Sequence, residues 1–159
     1  MLQNTSTSYY YNFDTINIPL EKRGLLYNWP AATQAICPVG WHLPTISEWT
    51  ALSNQATSIN MLADPAYNWI PEANKTLENG SPYYCGSNPE NCNSLGFSLV
   101  PAGNMQDGGT LGYVFNAANF WTSDDIDKNC VAFNAHLNKM ELNKKSKARG
   151  FSVRCLRDY

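Results

Sequence analysis

A chain of 159 residues suits one domain, long enough to bury a real core. Aromatic residues at 13% against charged residues at 15% describe a compact aromatic globule with polar uncharged loops, which excludes a disordered tail. A net charge of −2 and a pI near 5.6 exclude an electrostatic grip on nucleic acid or an anionic membrane. The one basic cluster, Lys139 to Arg149, is broken by Met140, Glu141 and Asn143 and reads as a solvated hairpin. No stretch approaches the roughly 20 apolar residues of a membrane span, and the first residues have neither the basic start nor the apolar centre of a signal peptide.

In chain order, Tyr9, Tyr10, Tyr11 and Phe13 predict an aromatic edge strand or docking arm, with residues 1–12 as that arm or a linker. Leu25-Leu26-Tyr27 predicts a short strand. Pro30 sits where the first helical position tolerates it, and Ala31, Ala32, Ala35 and Ile36 continue a short helix that stops before Pro38. The clearest signal is C-P-V-G-W-H-L-P-T-I-S-E-W-T-A-L, Cys37 to Leu52. Thr45 and Glu48 form a capping box, so a helix starts there, with Ile46, Trp49 and Leu52 on one stripe. Trp41 and Leu43 precede the cap on an extended run, and Trp41, Trp49, Trp121 and Phe151 are expected to share one interior.

From Ala56 to Ser94 periodicity is lost among Asn, Pro, Gly and Ser, with Tyr67 and Trp69 as anchors; filler is the default reading and a binding loop the sharper one. From Gly96 the pattern turns to β. Phe97 and Leu99 alternate with Ser98 and Val100, Asn104 to Gly109 supplies a turn, and Phe120-Trp121-Thr122-Ser123 begins another strand. Val131, Phe133, Ala135 and Leu137 then face a core, while Ala132, Asn134, His136 and Asn138 face water. Phe151, Val153 and Cys155 share a face in the last strand.

Four of these motifs together, C-P-x-G-W-H-x-P-T-x-x-E-W, Gly96-Phe97-Ser98 with Pro101-Ala102-Gly103, Phe120-Trp121-Thr122-Ser123, and Gly150-Phe151-Ser152-Val153-Arg154-Cys155, resemble the Fibrobacter succinogenes major paralogous domain over Leu25 to Asp158. The resemblance implies a C-type-lectin-like fold, distantly related to that of the formylglycine-generating enzyme. It also implies surface or secreted proteins of Bacteroidetes-type bacteria and their phages, and no settled activity. Without a signal peptide the chain is expected to be mature, truncated or phage-encoded; the resemblance also implies an upstream segment with a Trp and an Asn-Leu pair that is missing here, so the first dozen residues are expected to be a linker that continues into another domain.

The cysteines number five, at 37, 85, 92, 130 and 155. Cys85 and Cys92 flank G-S-N-P-E-N, and a bridge there would contribute about 2.5 kcal/mol through chain entropy. Cys37 and Cys155 open the first motif and close the last; bridged, they would contribute roughly 4 to 5 kcal/mol. Cys130 is then a buried thiol. The alternative is that every thiol stays reduced in a cytosolic host.

Catalytic groups are sparse. His42 lies between Trp41 and Leu43 and reads as a structural hydrogen-bonding group, and His136 lies on a wet face with no ligand partner at metal spacing. No HExxH, CxxC, GxSxG or phosphate loop occurs. The paired thiols of the formylglycine-type site are not matched, because Cys155 stands alone near the end. Arg154 would lower its thiol pKa only if that thiol were exposed. Asp124, Asp125 and Asp127 with Asn129 read as a solvated acidic loop, with Ca²⁺ as the sharper alternative, although Ser123 to Lys128 has no Gly to enforce the turn. Asn88-Pro89-Glu90 matches a carbohydrate-binding tripeptide only in reverse.

The expectation is a single α+β domain of C-type-lectin-like architecture, with two short helices on small antiparallel sheets and a long irregular region. It is expected to be non-enzymatic and to need no cofactor. By analogy with retroelement-diversified variable proteins, Asp124, Asp125, Asp127, Asn129, Asn134, His136 and Asn138 would form a face for a protein or glycan receptor at a cell or virion surface. A spacer in a surface lipoprotein or phage tail, calcium-dependent carbohydrate binding, and a formylglycine-type enzyme are the alternatives.

Overall fold

A computed structural model describes residues 7–13, 17–34, 36–67, 69–70, 92–135, 137 and 140–159. Among them the fold is α+β, short helices on small antiparallel sheets. The first strand, β1 (Tyr10–Tyr11), pairs antiparallel with β2 (Leu26–Tyr27), so the described part of the N-terminal arm is docked. Asn28 secures it: its Oδ1 accepts from the Tyr9 and Ala31 N–H groups at 3.0 and 3.2 Å and its Nδ2 donates to the Thr7 carbonyl at 2.6 Å. Between the two strands lies one helical turn, α1 (Leu20–Arg23).

Asn28 is also the N-cap of α2 (Trp29–Thr33), which starts one residue before the predicted Pro30 and ends earlier than predicted. Thr33 returns its hydroxyl to the Trp29 carbonyl at 2.9 Å, while the predicted Ala35 lies outside the described residues. Next, β3 (Trp41–His42) leads into α3 (Ile46–Gln55). The capping box is complete: the Glu48 N–H donates to Thr45 Oγ1 at 3.2 Å and the Thr45 N–H to Glu48 Oε2 at 2.8 Å. A single 3₁₀ turn, Ile59–Met61, follows.

The remaining strands are β4 (Asn104–Met105), β5 (Leu111–Gly112), β6 (Ala117–Trp121), β7 (Cys130–Asn134), β8 (Met140–Asn143) and β9 (Leu156–Arg157). Strands β6, β7 and β8 form a three-stranded antiparallel sheet in which Asn119, Ala132 and Glu141 stand in one row. Phe120-Trp121-Thr122-Ser123 therefore ends a strand instead of beginning one. The predicted strand at Phe97–Val100 is also absent: Ser98 has φ +54, which a strand does not allow, and only an isolated parallel bridge joins Leu99 to Ala63.

One sheet face packs on α3. Trp49 sits 5.2 Å from the Phe120 ring and 6.1 Å from Phe133, with Val131, Leu62 and Leu99 completing this core. On the opposite face Trp121 stacks at 4.4 Å on Phe151 and 5.4 Å from Trp29, and its Nε1 donates to the Tyr27 carbonyl at 2.6 Å. The four aromatics expected in one interior thus divide. Trp49 lies on one side of the sheet and Trp121 with Phe151 on the other, while Trp41 is 45% exposed because β3 pairs only with β9 at the surface.

The first and last motifs are fastened by that β3–β9 pair and by a Cys37–Cys155 disulfide across 118 residues. Cys92 is also a half-cystine, while Cys85 lies outside the described residues. Cys130 is buried and free, its thiol pushed up to about 12 by burial. It is protonated and inert at neutral pH.

A clasp reinforces the same junction. His42 Nδ1 lies 2.6 Å from Asp158 Oδ1 and Nε2 lies 2.9 Å from Glu48 Oε1. The Asp158 and then the Glu48 bond raise the His42 pKa above 6.5. At Glu48, burial pushes upward, but the bonds from Thr45 and His42 outweigh it and the pKa falls below 4.5. A raised histidine stabilises fully below its unfolded value and loses that contribution as pH rises through its folded value; a depressed carboxylate loses its contribution as pH falls through its folded value. The clasp should therefore be complete between about pH 4.5 and 6.5. Melting temperature should decline above that window in the parent chain and decline less in His42→Gln; equal slopes would show that the clasp does not contribute.

Candidate polar recess on the central sheet

The second face of the three-stranded sheet is only half covered. Beyond Trp121 and Cys130, the side chains of Ala117, Asn119, Ala132, Asn134, Glu141 and Asn143 meet no apolar layer and bound a cavity of about 380 Å³. Two alanines make this possible. Ala132, central in its strand and flanked by Asn119 and Glu141, leaves a hollow that the β-branched residue expected in a buried strand would fill.

The floor is polar and buried. Asn104 from β4 and Asn119 from β6 are 4% and 6% exposed, and Asn104 Oδ1 and Asn119 Nδ2 are sealed from solvent without a partner. Among the described residues neither side chain makes a hydrogen bond. Leaving such a group unpaired costs about 1 to 3 kcal/mol, so two on one floor call for an explanation. Trp49 Nε1, Trp69 Nε1 and Asn116 Oδ1 are also unpaired; Asn104 and Asn119 differ in being two such residues that line one cavity.

The walls carry Glu141, Lys145 and Arg149, charges of both signs. Asn134 Nδ2 donates to Glu141 Oε2 at 2.5 Å, and Arg149 Nε donates to Asp107 Oδ2 at 3.0 Å. Burial pushes the Asp107 pKa upward, but bonds from Ser146 and Arg149 prevail and lower it. At the rim Tyr113 is 43% exposed and holds φ +60, with Phe115 at +61 two residues on. Non-glycine residues at such angles carry strain that clusters at functional sites. Tyr113 is held there because its carbonyl accepts from the Asn116 and Ala117 N–H groups at 2.9 and 2.8 Å.

A family model described as the Fibrobacter succinogenes major domain matches residues 2–157. The chain belongs to this family. No curated protein and no solved structure matches it.

In this Fibrobacter succinogenes major domain the sequence-predicted face is dispersed. Asp124 Oδ2 accepts from the Ile46 N–H at 2.6 Å, where a carboxylate meets the positive end of α3. Asp125 pairs with Lys144 at 2.9 Å and with Lys147, and those lysines, Lys147 first, outweigh burial and lower its pKa. Asn129 is fully buried, its amide exchanging bonds with the Lys145 backbone at 2.9 and 3.0 Å. Asp127 is exposed. Only Asn134 lines the recess; His136 and Asn138 lie outside the described residues. Among the described residues no three of His, Cys, Asp and Glu gather to hold a metal.

Asn104, Asn119 and Glu141 escaped the sequence reading, although Ala-Ala-Asn-Phe-Trp places Asn119 on the same face as Trp121. The two kinds of asparagine should differ in stability. Asn129→Ala should cost about 2 to 4 kcal/mol, because it strands the Lys145 backbone, and Asn119→Ala about 1 kcal/mol or less. Urea unfolding reads both; equal losses would mean that the floor amide is structural.

Proposed function

We propose that this domain is a non-enzymatic recognition module at a bacterial or virion surface, with a C-type-lectin-like scaffold, and that its binding site is the recess above Ala132. The observation that carries this reading is the pair of buried, unpartnered amides on the recess floor. Polar groups on a stiff sheet lose little ordering entropy on binding, so weak individual bonds add up. Asn134, central to the face expected from the sequence, stays in the site, joined by Asn104, Asn119, Glu141 and Asn143.

The reading needs neither cofactor nor metal. Cys155, the residue nearest to a formylglycine-type thiol, is closed in a disulfide with Cys37. The partner class is a protein or glycan receptor on a cell surface.

Labelled protein applied to arrays of cell-surface glycans and to intact bacteria tests this, with Ala132→Leu as the comparison. Leucine fills the hollow and removes no polar group. Binding by the parent chain, unchanged by EDTA and lost in Ala132→Leu with folding intact, is expected. Equal binding by the variant would place recognition elsewhere, loss with EDTA would favour a calcium-dependent lectin, and no binding to any surface would favour a spacer.

A further inference from the structure

We infer that the recess takes a neutral, hydroxyl-rich ligand, a saccharide unit, held by amide edges on the sheet and by the Tyr113 ring at the rim. This rests on the recess being the binding site and adds the class of what enters it. Each unpaired asparagine amide offers one donor group and one acceptor group. On the floor, Asn104 and Asn119 line one cavity; with Asn104 Oδ1 and Asn119 Nδ2 sealed beneath it, the edges left for a ligand are Asn104 Nδ2, a donor, and Asn119 Oδ1, an acceptor.

An ammonium only donates, and phosphate, although its P–OH can donate, mainly accepts and brings a charge that a lining of zero net formal charge, with Arg149 paired to Asp107, does not offset. A hydroxyl does both. Adjacent hydroxyls on a ring can each accept from one amide nitrogen and donate to a neighbouring oxygen, including the Glu141 carboxylate. A peptide amide also carries a donor and an acceptor, but only one of each. It would leave unmatched the further polar groups that Asn143 and Glu141 bring to the same cavity.

Charge points the same way. Arg149 is paired with Asp107, and Glu141 and Lys145 bring opposite charges to the same cavity, so the walls have no net formal charge with which to reward an ionic ligand. The cavity, about 380 Å³, falls in the range of small-molecule pockets, and a half-exposed aromatic at its mouth can cover the apolar C–H face of a sugar ring. The backbone at Tyr113, held at positive φ by the bonds to its carbonyl, sets where the side chain starts before any ligand arrives.

The test is a titration of isotope-labelled protein followed through the side-chain amide signals of Asn104 and Asn119. The probes are a panel of methyl glycosides, a capped dipeptide and inorganic phosphate, each with EDTA present. At least one glycoside should shift both amides saturably. Tyr113→Ala should weaken that binding about tenfold and Tyr113→Phe should leave it unchanged, since the ring and not the hydroxyl is the platform. Shifts with dipeptide or phosphate and with no glycoside would overturn the saccharide class while leaving the recess as the site. If no probe moves either amide, and Ala132→Leu binds surfaces like the parent chain, the class and the site reading fall together.

Discussion

Three successive residues, Gly150, Phe151 and Ser152, hold this fold together by each bonding to a different sheet. Gly150 exchanges backbone hydrogen bonds with Met105 of β4 at 2.9 and 2.8 Å, and Phe151 does so with Tyr27 of β2 at 3.0 and 2.8 Å. Ser152 lies along the free edge of β6, donating to the Asn119 carbonyl at 2.9 Å and accepting from the Trp121 N–H at 3.2 Å. Small sheets of two or three strands are marginal alone, so joining them is what makes one stable unit. The crossing leaves no room for a side chain at Gly150, where a Cβ would lie 2.6 Å from Tyr11 Cδ2 and 2.8 Å from Met105 Cβ.

That junction also decides where the recess lies. Phe151 stacks on Trp121 and covers the sheet as far as Cys130. One row further, the strands carry Asn119, Ala132 and Glu141, and the apolar layer stops. The same sheet is thus a core wall on its α3 side, a second core wall at one end of its other side, and a polar hollow beyond. Gly103, next to Asn104 of the floor, meets the loop that carries Tyr113. At φ +74, a Cβ there would come 2.3 Å from the Gly112 carbonyl oxygen, so the loop bearing Tyr113 can approach only a glycine. Unpaired buried amides beside a hollow give up stability, which supports the proposal that the recess is a binding site.

Local chemistry was legible where a single element controls it. The Thr45–Glu48 box, the α3 stripe and the core-facing Val131, Phe133 and Ala135 needed only the rules of one helix or strand. Trp41 and Leu43 were read alike because they share a strand face, but only Leu43 has a neighbour over it. Alternation at Phe97–Val100 suggested a strand that the left-handed Ser98 interrupts: the Ser98 N–H donates to Asn93 Oδ1 at 2.6 Å, a bond that belongs to a turn. The acidic loop looked like a ligand face because carboxylates usually seek water. Here Asp124 caps a helix and Asp125 answers two lysines from distant segments. The recess was hidden for the same reason: Asn104 and Asn119 become neighbours only through β4, β6 and the terminal crossing, a long-range arrangement without a local signature.

The hollow itself is the central claim, and a high-resolution crystal structure of the unliganded protein tests it most directly. The account predicts an open space above Ala132 with ordered waters bonded to the Asn104 and Asn119 amides. Those amides bonded instead to protein groups, with the Tyr113 or Lys145 side chain folded down onto Ala132, would contradict it.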